Sequence, residues 1–274
     1  METEQAIREA TRLNSKMIYE VVRRDGDEEL ERPTKSLIWS GLAAGILISF
    51  SVLAEAVFRS HLPDTSWRPL VENLGYSFGF LMVILGRMQL FTENTITTIL
   101  PLVAERSKRC VVLVLRLWGI VLVANVAGAA LAGAFFVHAE AFSPELRAAI
   151  FDLSAHATGF PPLEAFLRAI PAGVLVAGIV WMMPGQSGNE VWIIVLFTWL
   201  IAAGDFTHVI AGAVEVWVML LDGRLMIGEA IGDVFLPILA GNIFGGTLVF
   251  ALLAWGQVKA EVEPPPDENS HGAK

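Results

Sequence analysis

Residues 71–103 form an apolar run too long for one bilayer crossing. At its centre stands a polar stretch, Gly86-Arg87-Met88-Gln89-Leu90-Phe91-Thr92-Glu93-Asn94-Thr95. A charge at the bilayer centre costs about 3 kcal/mol on insertion scales, and such residues face a bundle interior or a water-filled path. A spanning helix interrupted at residues 91–95 explains both the length and the polarity, because irregular backbone at membrane depth needs protein or a cavity around it. Composition agrees with a membrane setting. The 274 residues are 54% hydrophobic and 17% charged, with a mean hydropathy of +0.59, which is too apolar for an ordinary soluble domain. The net charge of −9 argues against nucleic acid as a partner. The single cysteine, Cys110, allows no internal disulfide. The charged first 35 residues do not read as a cleavable signal.

Further spans are expected at about 36–57, 110–137, 165–183, 191–221 and 231–255. The run 191–221 is again overlong and again carries a polar interruption, Gly204-Asp205-Phe206-Thr207-His208. Residues 4–24 have the period of an amphipathic helix, with Ile7, Ala10, Leu13, Met17, Ile18, Val21 and Val22 on or near one face. Residues 138–163 read as a polar loop with three prolines. The expected organisation is an N-terminal segment 1–35, a six-helix transmembrane channel domain 36–257, and a disordered tail 258–274. Lys and Arg concentrate in 1–37, 105–110 and 257–274, which places both termini in the cytoplasm.

Two breaks in two overlong spans suggest a duplication. Phe91-Thr92 and Phe206-Thr207 are separated by 206 − 91 = 115 residues. Asn125-Val126-Ala127-Gly128 and Asn242-Ile243-Phe244-Gly245 are separated by 242 − 125 = 117. Each half has an odd number of spans, so the halves run in opposite directions. The expected fold is an all-α membrane protein of six transmembrane helices, an inverted repeat with broken second and fifth helices and a site near the midplane.

The second half of a broken helix presents backbone N–H donors that favour an anion or polar oxygen. Phe91 and Phe206 stand at the breaks, where they can narrow a path, and Thr92 and Thr207 offer hydroxyls there. His208 is the one histidine within a span, suited to donating to an anion or exchanging a proton. Its bland alternative is a buried imidazole bonded to a helix carbonyl. Arg87, Glu93, Asp205 and Glu215 add intramembrane charge. Arg87 is expected to pair with Asp205 or Glu93. Glu215, seven residues after His208, shares its helical face and either tunes it or bonds a neighbour. No clustered metal ligands, His-Glu-x-x-His or Gly-x-Ser-x-Gly is present, so neither a metal, a cofactor nor an enzyme is expected.

At these positions the chain resembles the formate/nitrite transporter family, homopentamers of aquaporin-like protomers in the inner (plasma) membrane that pass small monovalent weak-acid anions with proton involvement. The run Leu90-Phe91-Thr92 resembles the family's loop at the second-helix break, and Phe206-Thr207-His208 its fifth-helix segment. Asn125-x-x-Gly128 and Asn242-x-x-Gly245 are similar to its third- and sixth-helix motifs. The resemblance implies that Tyr76, Phe80, Leu90, Phe91 and Phe206 form constrictions and that His208 and Thr92 contact the permeant between them. Arg87 and Asp205 depart from the family pattern, and the expected outer segments are acidic. Two other readings remain, a channel for a small neutral solute and a non-conducting membrane scaffold.

Overall fold

The computed structural model describes residues 13–186 and 188–262. Ile7, Ala10 and the tail beyond 262 lie outside the described residues. Those described form helices and no strand. Among the described residues, four helices are long and apolar enough to cross a membrane: α2 (Thr34–His61), α7 (Lys108–His138), α9 (Pro162–Met182) and α12 (Ile227–Val262). Two further apolar segments are divided. The first comprises α4 (Ser77–Leu85) and α5 (Phe91–Thr97), which continues into α6 (Ile99–Glu105); the second comprises α10 (Glu190–Ala203) and α11 (Val209–Leu221). Helix α12 runs five residues past the expected end of the channel domain at 257. It carries π-helical turns at Ala230–Phe235 and Phe244–Ala251.

Helix α2 packs along α7, and α9 packs along α12. These contacts are backbone to backbone. A Cβ on Gly45 would collide with the Asn125 carbonyl, and one on Gly173 with the Asn242 carbonyl. Gly128 and Gly245 make the reciprocal approaches, to Leu42 O and Ile170 O. Small residues of this kind let membrane helices gain dispersion contact where no hydrophobic effect draws them together. The two halves are therefore built on the same glycine-mediated pair.

Three helices lie outside the repeat. The short α3 (Arg68–Glu72) follows α2. Helix α1 (Ser15–Glu31) is capped by Asn14, whose side chain accepts from Met17 N at 2.9 Å. Its packing face is Tyr19, Val22, Gly26 and Leu30, set against α5, α6, α9 and the end of α12. This corrects the expected face, since Leu13, Met17 and Val21 are exposed. On its polar side Arg23 and Arg24 hold the Glu20 carboxyl down to about 2. Helix α8 (Pro144–Ala157) occupies what the sequence reads as a loop. Its start signal is present: Ser143 accepts from Leu146 N, Pro144 fills the first turn, and Glu145 suits the positive helix end. It buries Ala149, Ile150, Phe151 and Leu153 against the end of α2 and against α11.

Candidate functional site

The two breaks have the same backbone, at a register three residues from the Phe-Thr match. Helix α4 ends at Gly86 with Arg87 N donating to Ile84 O and Met88 N to Val83 O; α10 ends at Gly204 with Asp205 N donating to Ala202 O and Phe206 N to Ile201 O. Both are Schellman caps, and both place a residue with a side chain in the left-handed position that glycine usually fills, Arg87 at φ 51° and Asp205 at φ 52°. Arg87 therefore corresponds to Asp205, an offset of 205 − 87 = 118. The irregular residues of the first break are 86–90, and Phe91–Thr95 already belong to the helix that follows, which corrects the expected position of the interruption.

A buried asparagine closes each break. Asn125 on α7 accepts from Phe91 N at 2.9 Å and donates to Gln89 O and Gly41 O, both at 2.8 Å. Asn242 on α12 accepts from Val209 N at 2.8 Å and donates to Thr207 O at 3.0 Å and Ala169 O at 2.8 Å. Each side chain satisfies the first donor of a half-helix, a carbonyl of the break, and a carbonyl of the neighbouring long helix. Left unpaired, such groups would each cost about 1–3 kcal/mol. Both asparagines thus have a structural role that the bare Asn-x-x-Gly pattern does not reveal. They also occupy one donor at each break that an anion would otherwise meet.

Helix α5 is then placed so that Thr92, fully buried in its first turn, meets His208 from the other break. Thr92 Oγ1 and His208 Nε2 are 2.8 Å apart. His208 is also the N-cap of α11, its Nδ1 accepting from Ala211 N at 3.3 Å. Because Nδ1 accepts, the imidazole proton sits on Nε2 and is donated to Thr92, which keeps its own hydroxyl hydrogen to offer elsewhere. The Phe80 ring lies edge-on 5.0 Å from His208, and Tyr76 lies 5.3 Å from Phe80. Phe80, Leu90, Phe91 and Thr92 are almost wholly buried.

Two cavities open towards this layer from opposite ends. One, of about 330 Å³, lies under α1 and is lined by Arg87, Met88, Gln89, Glu93 and Asn94, with Asp25, Glu28 and Glu29 from α1 and Glu190 from α10. Gln89 ties α1 to the break, donating to Glu29 at 2.8 Å and accepting from Asn94 at 3.1 Å. Desolvation at the cavity wall raises the Asp25 carboxyl above its ordinary value, with Arg87 pulling the other way. The second cavity, of about 250 Å³, lies beside α8. It is lined by Tyr76, Phe206, Thr207, His208, Gly212 and Glu215, with Glu55, Arg59, Glu72, His156 and Asp205 at its walls. Both cavities carry more carboxyl groups than basic ones.

The expected site residues separate accordingly. His208, Thr92 and Phe80 come together, with Tyr76 and Phe206 on the α8 side. Arg87 and Glu93 line the α1 cavity, and Asp205 and Glu215 line the α8 cavity, so the expected pair of Arg87 with Asp205 is not formed. Asp205 instead meets His156 Nε2 at 2.9 Å, and Arg87 makes no ion pair among the described residues. Thr207 donates to Ala165 O at 2.9 Å, away from Thr92, so only one of the two threonine hydroxyls faces the histidine. The Phe91 ring packs on Trp118 at 5.5 Å and lines neither cavity. Sequence reasoning gave Gln89 no role beyond its place in the polar stretch, and missed Glu55 and His156. The first two were readable as polar residues inside apolar spans; His156 required α8.

The formate/nitrite transporter family profile matches residues 16–256, nearly the whole of the helical body. The chain belongs to this family. It is 41% identical over 245 residues to the inner membrane protein YfdC of Escherichia coli (strain K12), covering 89% of this chain and 79% of that protein. It is 28% identical to the formate channel FocA of Haemophilus influenzae over 66% of this chain and 65% of that one. Among solved structures, a pentameric formate channel with formate bound superposes with a TM-score of 0.70 at 22% identity, covering 82% of this chain and 97% of that one. An FNT family ion channel reaches 0.77 at 17% identity, covering 88% and 98%. Family membership makes this chain an integral membrane transport protein, not an enzyme.

Proposed function

We propose that the chain is a channel for small monovalent weak-acid anions of the formate and nitrite kind, which cross the central layer as the neutral acid. The observation that carries this reading is the bond between Thr92 and His208. It joins the two breaks inside a buried layer of Phe80 and Leu90, between two water-accessible cavities. A bare anion pays heavily to enter such a layer and a neutral acid far less. His208 holds the Thr92 hydroxyl so that its hydrogen is presented to a carboxylate or nitrite oxygen. The proton that neutralises the permeant comes through cavity water, because Nδ1 of His208 is occupied by the Ala211 amide. Carboxyl groups in the cavity walls favour this route, since they attract protons towards the layer. Tyr76 and Phe206 narrow the α8 side.

The same proposal reads each divided segment as one crossing, giving six, with α1 and both termini on the cytoplasmic side of the inner membrane. It takes the assembly to be a homopentamer, in keeping with the related formate channel. Proteoliposomes loaded with a pH-sensitive dye test the function. Formate, nitrite and acetate should enter and acidify the lumen, while chloride should enter about tenfold more slowly or less. Chloride flux equal to formate flux, or formate entry without acidification, would refute it. The carboxyl-rich cavities favour one second reading, a neutral-solute channel. Stopped-flow light scattering with urea and glycerol would support that reading if these solutes passed and formate did not.

A further inference from the structure

We propose that His156, on α8, is a positioning residue for the second break: through Asp205 it sets where Phe206 stands, and so ties flux to the pH on that side of the membrane. The proposal rests on the transport reading above and adds a regulation to it. Asp205 holds a left-handed backbone at φ 52°, which a residue with a side chain keeps only where its surroundings over-determine it. Two contacts from outside the break do so. His156 Nε2 meets Asp205 Oδ1 at 2.9 Å, and Arg168 Nη1 donates to Asp205 O at 3.4 Å. Phe160 couples the two donors, with the His156 ring 5.3 Å from it edge-on and the Arg168 guanidinium 4.4 Å over its face. The residue after Asp205 is Phe206, which folds its ring back against Gly204, so a shift of Asp205 carries that ring with it. His156, Phe160, Asp205, Phe206 and His208 all line the one cavity of about 250 Å³. The first break has no such device, since Arg87 makes no ion pair among the described residues.

Histidine is the side chain whose charge changes between about pH 5 and 8. Neutral, His156 gives Asp205 one N–H; protonated, it gives an N–H and a charge, and the contact tightens. The other titratable groups of this cavity are Glu55 and Arg59 on α2, Glu72 on α3, Tyr76, His208, and Glu215 on α11, with Arg168 and Glu164 on α9 beside Asp205. Arg59 is already paired with Glu72 at 2.9 Å and Arg168 with Glu164 at 2.8 Å.

The test is formate flux in proteoliposomes with the pH stepped from 8 to 5 on one side at a time. Each variant is expressed as a ratio to wild type at the same pH, which cancels the titration of the permeant. His156→Lys keeps a cation near Asp205 at every pH, so its ratio should be near one at pH 5 and depart by roughly two- to fivefold at pH 8. His156→Gln keeps a neutral donor, so its ratio should be near one at pH 8 and depart by a similar factor at pH 5. In an Asp205→Asn background, with each double variant expressed as a ratio to Asp205→Asn alone at the same pH, both ratios should be flat. Flat ratios for both variants in the Asp205 protein would overturn the proposal, as would pH-dependent ratios that survive Asp205→Asn. Wild-type flux no greater than that of empty vesicles would sink the transport reading and the proposal together, whereas flat ratios with active wild type sink the proposal alone.

Discussion

The break before α5 and the break before α11 share a backbone and differ in nearly every side chain. Both end a helix with a Schellman cap, both hold a charged residue left-handed, and both are closed by one asparagine making three hydrogen bonds. At the 118-residue offset, however, Leu90 corresponds to His208, Phe91 to Val209 and Arg87 to Asp205. The difference separates what keeps a broken helix stable in a membrane from what makes it a transport site. The first requirement is backbone satisfaction, which is the same problem twice and has the same solution. In the proposed function the second rests on one histidine and one threonine, taken from opposite repeats.

The largest effects should come from breaking the shared part. Asn125→Ala leaves the Phe91 amide and two carbonyls without their partner, and Asn242→Ala does the same to the Val209 amide and two carbonyls at the other break. Each should lower stability by about 2–4 kcal/mol, the lower end reflecting the modest net worth of hydrogen bonds in membranes. Unfolding of the purified protein in detergent checks this. Losses within about 1 kcal/mol of each other support equivalent clamps, and a loss at only one position would show that the symmetry stops at the backbone.

A smaller pair of substitutions sharpens the difference. Arg87→Gly relieves a left-handed residue that has no ion pair among the described residues, and should stabilise by about 0.5–1 kcal/mol. Asp205→Gly should gain less, because aspartate tolerates the left-handed region better than arginine and because the bond to His156 is lost. Equal gains in thermal stability at the two sites would mean that His156 contributes nothing to holding Asp205.

The sequence makes the existence of both breaks plain, because charge inside an overlong apolar run is incompatible with an unbroken lipid-facing helix. It also places Asn125 and Asn242 in equivalent positions. The register of the repeat was harder to see. The Phe-Thr match at 115 is a likeness of side chains, while the equivalence at 118 lies in carbonyl and amide positions that only the folded backbone displays. The fate of the charges was hidden for a related reason. An inverted repeat sends equivalent residues that lie away from its two-fold axis to opposite faces, and Arg87 and Asp205, which correspond to each other, line separate cavities. Helix α8 escaped because a 14-residue helix that covers a bundle has only a partial apolar face. Its Ser143-Pro144-Glu145 start was the signal present in the chain.

The most direct measurement is formate-driven acidification in proteoliposomes carrying wild type, Thr92→Val or His208→Asn, with folding checked by size-exclusion profile. If Thr92 presents the hydroxyl that meets the permeant and His208 aims it, Thr92→Val should lower the rate by about tenfold or more, with His208→Asn intermediate. Rates for folded Thr92→Val and His208→Asn equal to wild type would contradict a transport site at the meeting of the two breaks.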